Sequence, residues 1–310
     1  ITILIRLPSL PTSIWIGPYA SSSSKWRNST LTKKTISCDY LADLACQALA
    51  FEVQLAPKPG LVDPWSNGAH HDMTPQTFAA SIEALRPYFK GYVQLGQAHA
   101  GSPDQLFQAL RQLGQEAEAA MLAATAGVNT HKGANFSFAL LLGALGACQG
   151  DLEASWPLIE AMTQHLVTQD FAHLSQKASL SYGERLYLEH GITGVRGEAA
   201  AGYPVLRQCL LPFVSQRQGL DQRQLWLQAL VYLMATVQDG NLLHRGGLTA
   251  LAQVQGEMSL LLSQLPDLSL PQLEERLIAY DQVLIERHLS PGGSADFLAL
   301  GYFCTLIPSA

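Results

Sequence analysis

From Asp39 onward, nearly every stretch between glycine and proline breaks carries apolar residues at helical spacing, and alternating strand patterns are almost absent. Leu41, Leu44, Ala45, Ala48, Leu49 and Glu52-Val53 follow that spacing until Pro57 stops it. Thr74-Pro75 and Ser102-Pro103 each place a capping hydroxyl before a proline, the usual opening of a helix. The helix after Ser102 is expected to run through Leu106, Leu110, Leu113, Ala117 and Met121 to Gly127, while Phe136 to Ala147, apolar nearly all round, reads as a central buried helix. Further helices are expected near 154–168, 197–213, 222–238, 248–263, 271–288 and 294–306. The expected fold is therefore all-α: a single-domain multi-helix bundle with Gly- and charge-rich loops between the helices.

Hydrophobic residues make up 48% of the chain and charged residues 14%, a balance that favours a packed core over disorder. No apolar run is long enough to span a bilayer, so no membrane partner is expected. Residues 1–37 differ from the rest: rich in Pro and Ser, without sustained periodicity, carrying Arg6, Lys25, Arg27, Lys33 and Lys34 and no acid. They superficially resemble a transit peptide, and upstream read-through explains them equally well, so they are expected to form a poorly ordered leader outside the fold. The catalytic domain is then expected at 38–310, holding 25 acids against 14 bases, a net charge of −11. A body this acidic is a poor partner for nucleic acid. The five scattered cysteines, without CxxC spacing, suit reduced buried thiols in a cytoplasmic protein better than a zinc site.

Function concentrates in the connectors. The first, from Pro57 to Met73, packs two prolines, two glycines, Lys58, Asp63, His70, His71 and Asp72 between two helices. Rigid turns carrying both charge signs suit a site that holds a charged substrate in one geometry. Adjacent His70 and His71 lack the spacing of a zinc motif, which favours a hydrogen-bonding role. The second, Gly127 to Gly133 with Asn129, His131 and Lys132, enters the buried helix, where free N–H groups, the dipole and Lys132 would favour an anion. A lysine entering an apolar helix should need such an anion. The third joins Arg196 to Glu198, either a phosphate grip beside a metal or proton ligand or a local ion pair. The fourth holds Asp239, Asn241, His244 and Arg245; its Asp and Asn could share one Mg²⁺, or simply form an Asx-turn with helix caps. The fifth runs from Ser290 through Gly292, Gly293, Ser294 and Asp296, with Ser294 a good N-cap. Pooled, these loops describe a polyphosphate–Mg²⁺ pocket; GxxxxGK[ST] is absent, as is a GxGxxG after a strand.

Lys58 to Asp63, Gly68 to Met73, Gly127 to Gly133, Arg196 to Glu198, Asp239 to Gly247 and Pro291 to Asp296, in this order over roughly residues 39–306, resemble the triphosphoribosyl-dephospho-coenzyme A synthase family. One departure is Gly240, where that family's pattern has Thr. The resemblance implies that ATP and 3′-dephospho-coenzyme A are the substrates. The coenzyme's ribose 2′-hydroxyl attacks C1′ of the ATP ribose, adenine leaves, and the triphosphate is kept. The product would pass to a carrier-protein transferase as precursor of the prosthetic group of malonate decarboxylase or citrate lyase; Gly68-Ala69-His70 and Ser81 to Pro87 lean toward the malonate branch. Under that resemblance Lys58, Lys132, Arg196 and Arg245 bind phosphates, with Asn129, His131, Gly292, Gly293 and Ser294 lining the substrate. Mg²⁺ would be held by Asp239, Asn241, Glu198 and Asp296. Asp72 or Asp63 would be the base, Glu198 another acid–base group, and His70 a proton donor toward adenine. A Mg²⁺-dependent helical hydrolase of nucleotides or ADP-ribose, a non-catalytic nucleotide binder and a possible homodimer stay open from sequence.

Overall fold

In a computed structural model, residues 36–308 are described, except His173, Ser175, Gln176 and Ala178. The leader expected at 1–37 therefore lies outside the described residues except for Ile36 and Ser37. Ser37 caps the first helix, its hydroxyl accepting from Tyr40 N. The described residues form one compact unit, with helices and no strand among them.

The first five helices are α1 (Cys38–Gln54), α2 (Pro75–Ala98), α3 (Pro103–Ala124), α4 (Lys132–Ala147) and α5 (Leu152–Thr163). Both expected hydroxyl caps are present: Thr74 accepts from Thr77 N and Ser102 from Gln105 N. α4 is the buried centre, closed to solvent from Ala134 to Gly146 except at Phe136, and it packs against α1, α2, α3 and α5. The approach of α2 is close because Gly96 has no side chain; a Cβ there would stand 2.0 Å from the Gly143 carbonyl oxygen.

Then follow α6 (Leu166–Asp170), α7 (Tyr182–His190), α8 (Val195–Ala200), a π-helical turn at Val205–Leu210 and α9 (Leu211–Ser215). The fold closes with α10 (Gln222–Thr236), α11 (Gly240–Gln264), a 3₁₀ turn at Leu265–Asp267, α12 (Leu270–Glu286) and α13 (Gly292–Leu306). α13 is a second buried helix, packed on α1, α4, α10 and α11. The single helix expected at 197–213 is interrupted, because Gly202 and Tyr203 both take positive φ before Pro204. The helix expected at 248–263 is present beyond Gly247, whose φ of 68° breaks the helical run, and a further helical segment beginning at Gly240 precedes it in α11. α7 was not expected: it is short and mostly polar, although Ser181 and Glu184 form a capping box that was readable in the sequence. All five cysteines are free, and burial pushes the Cys46 and Cys304 thiols up to about 12. Among the described residues no helix is long and apolar enough to cross a membrane.

Candidate active site

The N-termini of α4, α11 and α13 border one cavity of about 790 Å³, into which the loops before α2 and α8 also open. Such ends direct positive dipole toward the cavity, although three N–H groups of α11 and α13 (Asn241, Leu242 and Ser294) are already taken by the Asp239 carboxylate. The cavity's volume falls within the range of small-molecule sites, about 300–1,000 Å³. Of the residues expected from sequence, His70, Asn129, His131, Lys132, Glu198, Asp239, Asn241, Arg245, Gly292, Gly293 and Asp296 line it. Lys58, Asp63, Asp72, Arg196 and Ser294 do not.

Those five have other work. Lys58 is buried and paired with Glu52 of α1, so the expected phosphate contact is corrected to an internal counterion. Asp63 is consumed locally: its Oδ2 accepts from Lys58 N at 2.7 Å, and its Oδ1 accepts from Trp65 N and Ser66 N at 2.7 and 2.9 Å. That carboxylate fixes a turn and is not free to act as base. Asp72 projects to solvent, 3.9 Å from His70 Nδ1. Arg196 Nε grips Asp170 Oδ2 at 2.7 Å, and Asp170 also holds Arg111, so the arginine ties α8 to α6 and α3. Ser294 is buried below the surface of the cavity and does not cap α13, which begins at Gly292.

Ser294 instead donates to Asp239. Asp239 Oδ2 accepts from Ser294 N at 2.7 Å and Ser294 Oγ at 2.9 Å, while Oδ1 accepts from Asn241 N and Leu242 N. Four bonds fill a carboxylate's roughly four acceptor positions. Asp239 therefore caps α11 and pins it to α13, a correction to its expected role as metal ligand. The helix-cap reading of this cluster is the one the geometry favours.

His70 is likewise held at both nitrogens. Arg245 Nη2 lies 3.2 Å from Nδ1, and Nε2 lies 2.9 Å from Ser290 Oγ. Burial and then the Arg245 charge push its pKa down to about 4, against the pull of Asp72. A neutral, doubly bonded imidazole links two loops and is no cationic proton donor. Arg245 also donates to the Ala69 and His288 carbonyls. Lys132 is exposed and pairs with Glu118, so the cost of burying it does not arise; it still reaches the cavity wall.

The carboxylates left facing the cavity are Glu52, Glu198 and Asp296. Asp296 is half-buried at the cavity wall, and no hydrogen bond to its side chain is found among the described residues. Burial, then Glu52 and Asp239, raise its pKa well above the usual carboxylate value. Like charges crowded on an unbonded carboxylate fit an oxygen-seeking cation. Among the described residues no three His, Cys, Asp or Glu side chains gather as a metal cage, yet Mg²⁺ commonly takes about one or two carboxylates and finds the rest in phosphates and water. The residues present thus fit a Mg²⁺ that takes most of its ligands from a bound anion and water. Glu198 differs: burial alone raises it, opposed by one bond from Val205 N at 3.2 Å. Glu52 escaped the sequence reading because it continues the apolar stripe of α1 and sits in no glycine-rich loop.

Two predictions arise here. A Cβ on Gly133 would fall 2.3 Å from Asp296 Oδ2, so Gly133→Ala should displace that carboxylate while favouring the helix. Turnover should fall about tenfold or more with the melting temperature retained; unchanged turnover contradicts this placement. The second concerns His131, which burial and then Lys58 push down from 6.5 to about 3. The unfolded chain's histidine takes a proton that the folded one refuses, so this stability is full above pH 6.5 and lost as pH falls toward 3. Urea midpoints measured at about pH 7 and about pH 5 should differ less in His131→Gln than in wild type; an equal difference contradicts it.

An all-α scaffold with three helix N-termini and three carboxylates around one pocket defines the class: a helical protein with a polar small-molecule site. Within that class the chain belongs to the CitG family, described as ATP:dephospho-CoA triphosphoribosyl transferase, whose model matches residues 38–310. A relative from Streptococcus pyogenes (serotype M49, strain NZ131) is 47% identical over 280 residues, covering 85% of this chain and 95% of its own. One from Streptococcus equi subsp. zooepidemicus (strain H70) is 47% identical over 294 residues, covering 89% and 99%. Each is named probable 2-(5''-triphosphoribosyl)-3'-dephosphocoenzyme-A synthase. No solved structure matches the chain.

Proposed function

We infer that the cavity joins ATP to 3′-dephospho-coenzyme A with release of adenine, making 2′-(5″-triphosphoribosyl)-3′-dephospho-coenzyme A. The observation that carries this is the convergence of three helix N-termini and cavity-facing carboxylates on one pocket, in a chain that family membership ties to these substrates. The triphosphate lies against the ends of α4, α11 and α13, with Lys132 and Arg245 as its cations. Asp296, with Glu52 beside it and the Asn241 amide oxygen, would hold Mg²⁺, which supplies charge neutralisation to the triphosphate when bound. Glu198 takes the proton of the attacking hydroxyl, because a half-buried carboxylate whose pKa is raised by desolvation is a stronger base than a free one. The developing positive charge on the sugar is shared by the surrounding carboxylates, as in other glycosyl displacements.

Free thiols throughout fit a reducing cytoplasm. The product's use is as prosthetic-group precursor for the acyl carrier subunit of malonate decarboxylase or citrate lyase, handed on by a carrier-protein transferase. The test is adenine release from ATP and Mg²⁺, with and without 3′-dephospho-coenzyme A. Release that requires the coenzyme supports transfer. Equal release without it would mean water is the acceptor and would overturn this function.

A further inference from the structure

The mechanism above leaves one buried group without a task. His131 is the residue before α4 and makes no capping bond; its side chain is 3% exposed and forms part of the cavity wall. Nδ1 lies 2.7 Å from Ser81 Oγ on α2, and Thr130 Oγ1 donates to that same Ser81 oxygen at 2.7 Å. A serine hydroxyl has one proton. With Thr130's proton arriving on Ser81, Ser81's own proton lies toward Nδ1, which leaves the ring hydrogen on Nε2. That Nε2 has no partner among the described residues and is closed to water, so an acceptor in the cavity reaches it only once a neighbouring side chain moves. The ring stands edge-on to Phe78, with centroids 5.0 Å apart at 88°.

An unmade buried donor costs about 1–3 kcal/mol, so such a group is informative when it lies on a ligand cavity. Its surroundings say which acceptor it awaits. The N-terminus of α4 and the Lys58 charge give this corner positive potential, while Phe78 and Met121, whose sulfur lies 3.4 Å from His131 N, make it apolar. A neutral N–H beside an aromatic ring matches a purine edge better than a fully charged phosphate, for which cations stand elsewhere on the wall.

We propose that His131, fixed as the Nε2–H form by the Thr130–Ser81 hydroxyl relay, donates a hydrogen bond to a ring nitrogen of the departing adenine. The inference rests on the glycosyl-transfer reading and deepens it. The C1′–N9 bond breaks with its electron pair going to adenine, and the C1′–O bond forms to the coenzyme's 2′-oxygen. The proton lost by that hydroxyl balances the one adenine gains. His131 starts and ends neutral, keeping its own proton, and stabilises negative charge as it grows on the base. A neutral histidine at a helix N-terminus is a known way to polarise a substrate without proton transfer.

The test combines adenine-release kinetics with NMR. ATP, 3-deaza-ATP and 7-deaza-ATP are compared in wild type, His131→Phe, His131→Gln and Ser81→Ala, each with 3′-dephospho-coenzyme A. For one of the two analogues, wild type should lose at least about tenfold more than His131→Phe loses, since the variant has no bond left to forfeit. His131→Gln, which keeps an N–H donor, should recover part of the rate with ATP, and Ser81→Ala should fall between. Equal losses in wild type and His131→Phe with both analogues would overturn the proposal and leave phosphate contact as His131's role. Long-range ¹H–¹⁵N spectra of the free protein should show the Nε2–H form; an Nδ1–H form would overturn it even if His131→Phe fails to fold. If wild type releases no adenine from ATP in the presence of the coenzyme, the transfer reading has failed, and the spectra alone decide the tautomer.

Discussion

Glu198→Gln should lower turnover by roughly 10²–10⁴-fold, the usual contribution of a positioned general base, while ATP binding changes little. Glu198 opens on the cavity, and burial alone raises its pKa, with only the Val205 N–H opposing. Glutamine preserves the volume and can still accept from Val205 N, so the fold should survive. The pH profile separates this role from simple packing: the wild-type rate should rise through the raised Glu198 value as pH increases, and that limb should vanish in the variant. A variant with wild-type turnover, or one that keeps the same ascending limb, would remove Glu198 from the chemistry.

The largest effect on stability is expected at Lys58. Its side chain is 1% exposed and paired with Glu52, whose side chain is 7% exposed. Removing one partner of a buried pair leaves the other charge stranded, at a cost of about 3–5 kcal/mol. Lys58→Met should therefore cost that much in urea unfolding at neutral pH, out of a total that is only about 5–15 kcal/mol for most domains. Adding Glu52→Gln to Lys58→Met should return most of the loss, because the stranded charge is gone. The double variant should still be a poor enzyme, since Glu52 faces the cavity beside Asp296. A single variant within about 1 kcal/mol of wild type would mean the pair contributes no more than an exposed one.

The helical class, the Thr74 and Ser102 caps and the convergence of the glycine-rich loops were legible in the sequence, because each rests on local spacing or on composition. Burial of charge was not. Lys58 and Lys132 look alike in the chain, both within glycine-containing connectors, yet the first is enclosed and the second exposed. Which is which depends on neighbours far away in sequence: Glu118 of α3 meets Lys132, and the loop after Lys58 is tied to α12 by Asp281, which accepts from Gly60 N. Asp239 was read as metal ligand or helix cap, and only its two bonds from Ser294, 55 positions on, decide between them. Glu52 was hidden by the opposite problem. Its helical spacing is regular, so nothing local marks it as a member of the site.

In the proposed reaction the whole triphosphoribosyl unit moves and adenine alone leaves. Mass spectrometry of the coenzyme product, alongside chromatography of the released base, tests it most directly. The expected product is heavier than 3′-dephospho-coenzyme A by a ribose 5-triphosphate unit and forms one for one with adenine. Transfer of phosphate alone, with ADP or AMP released and no adenine, would contradict it.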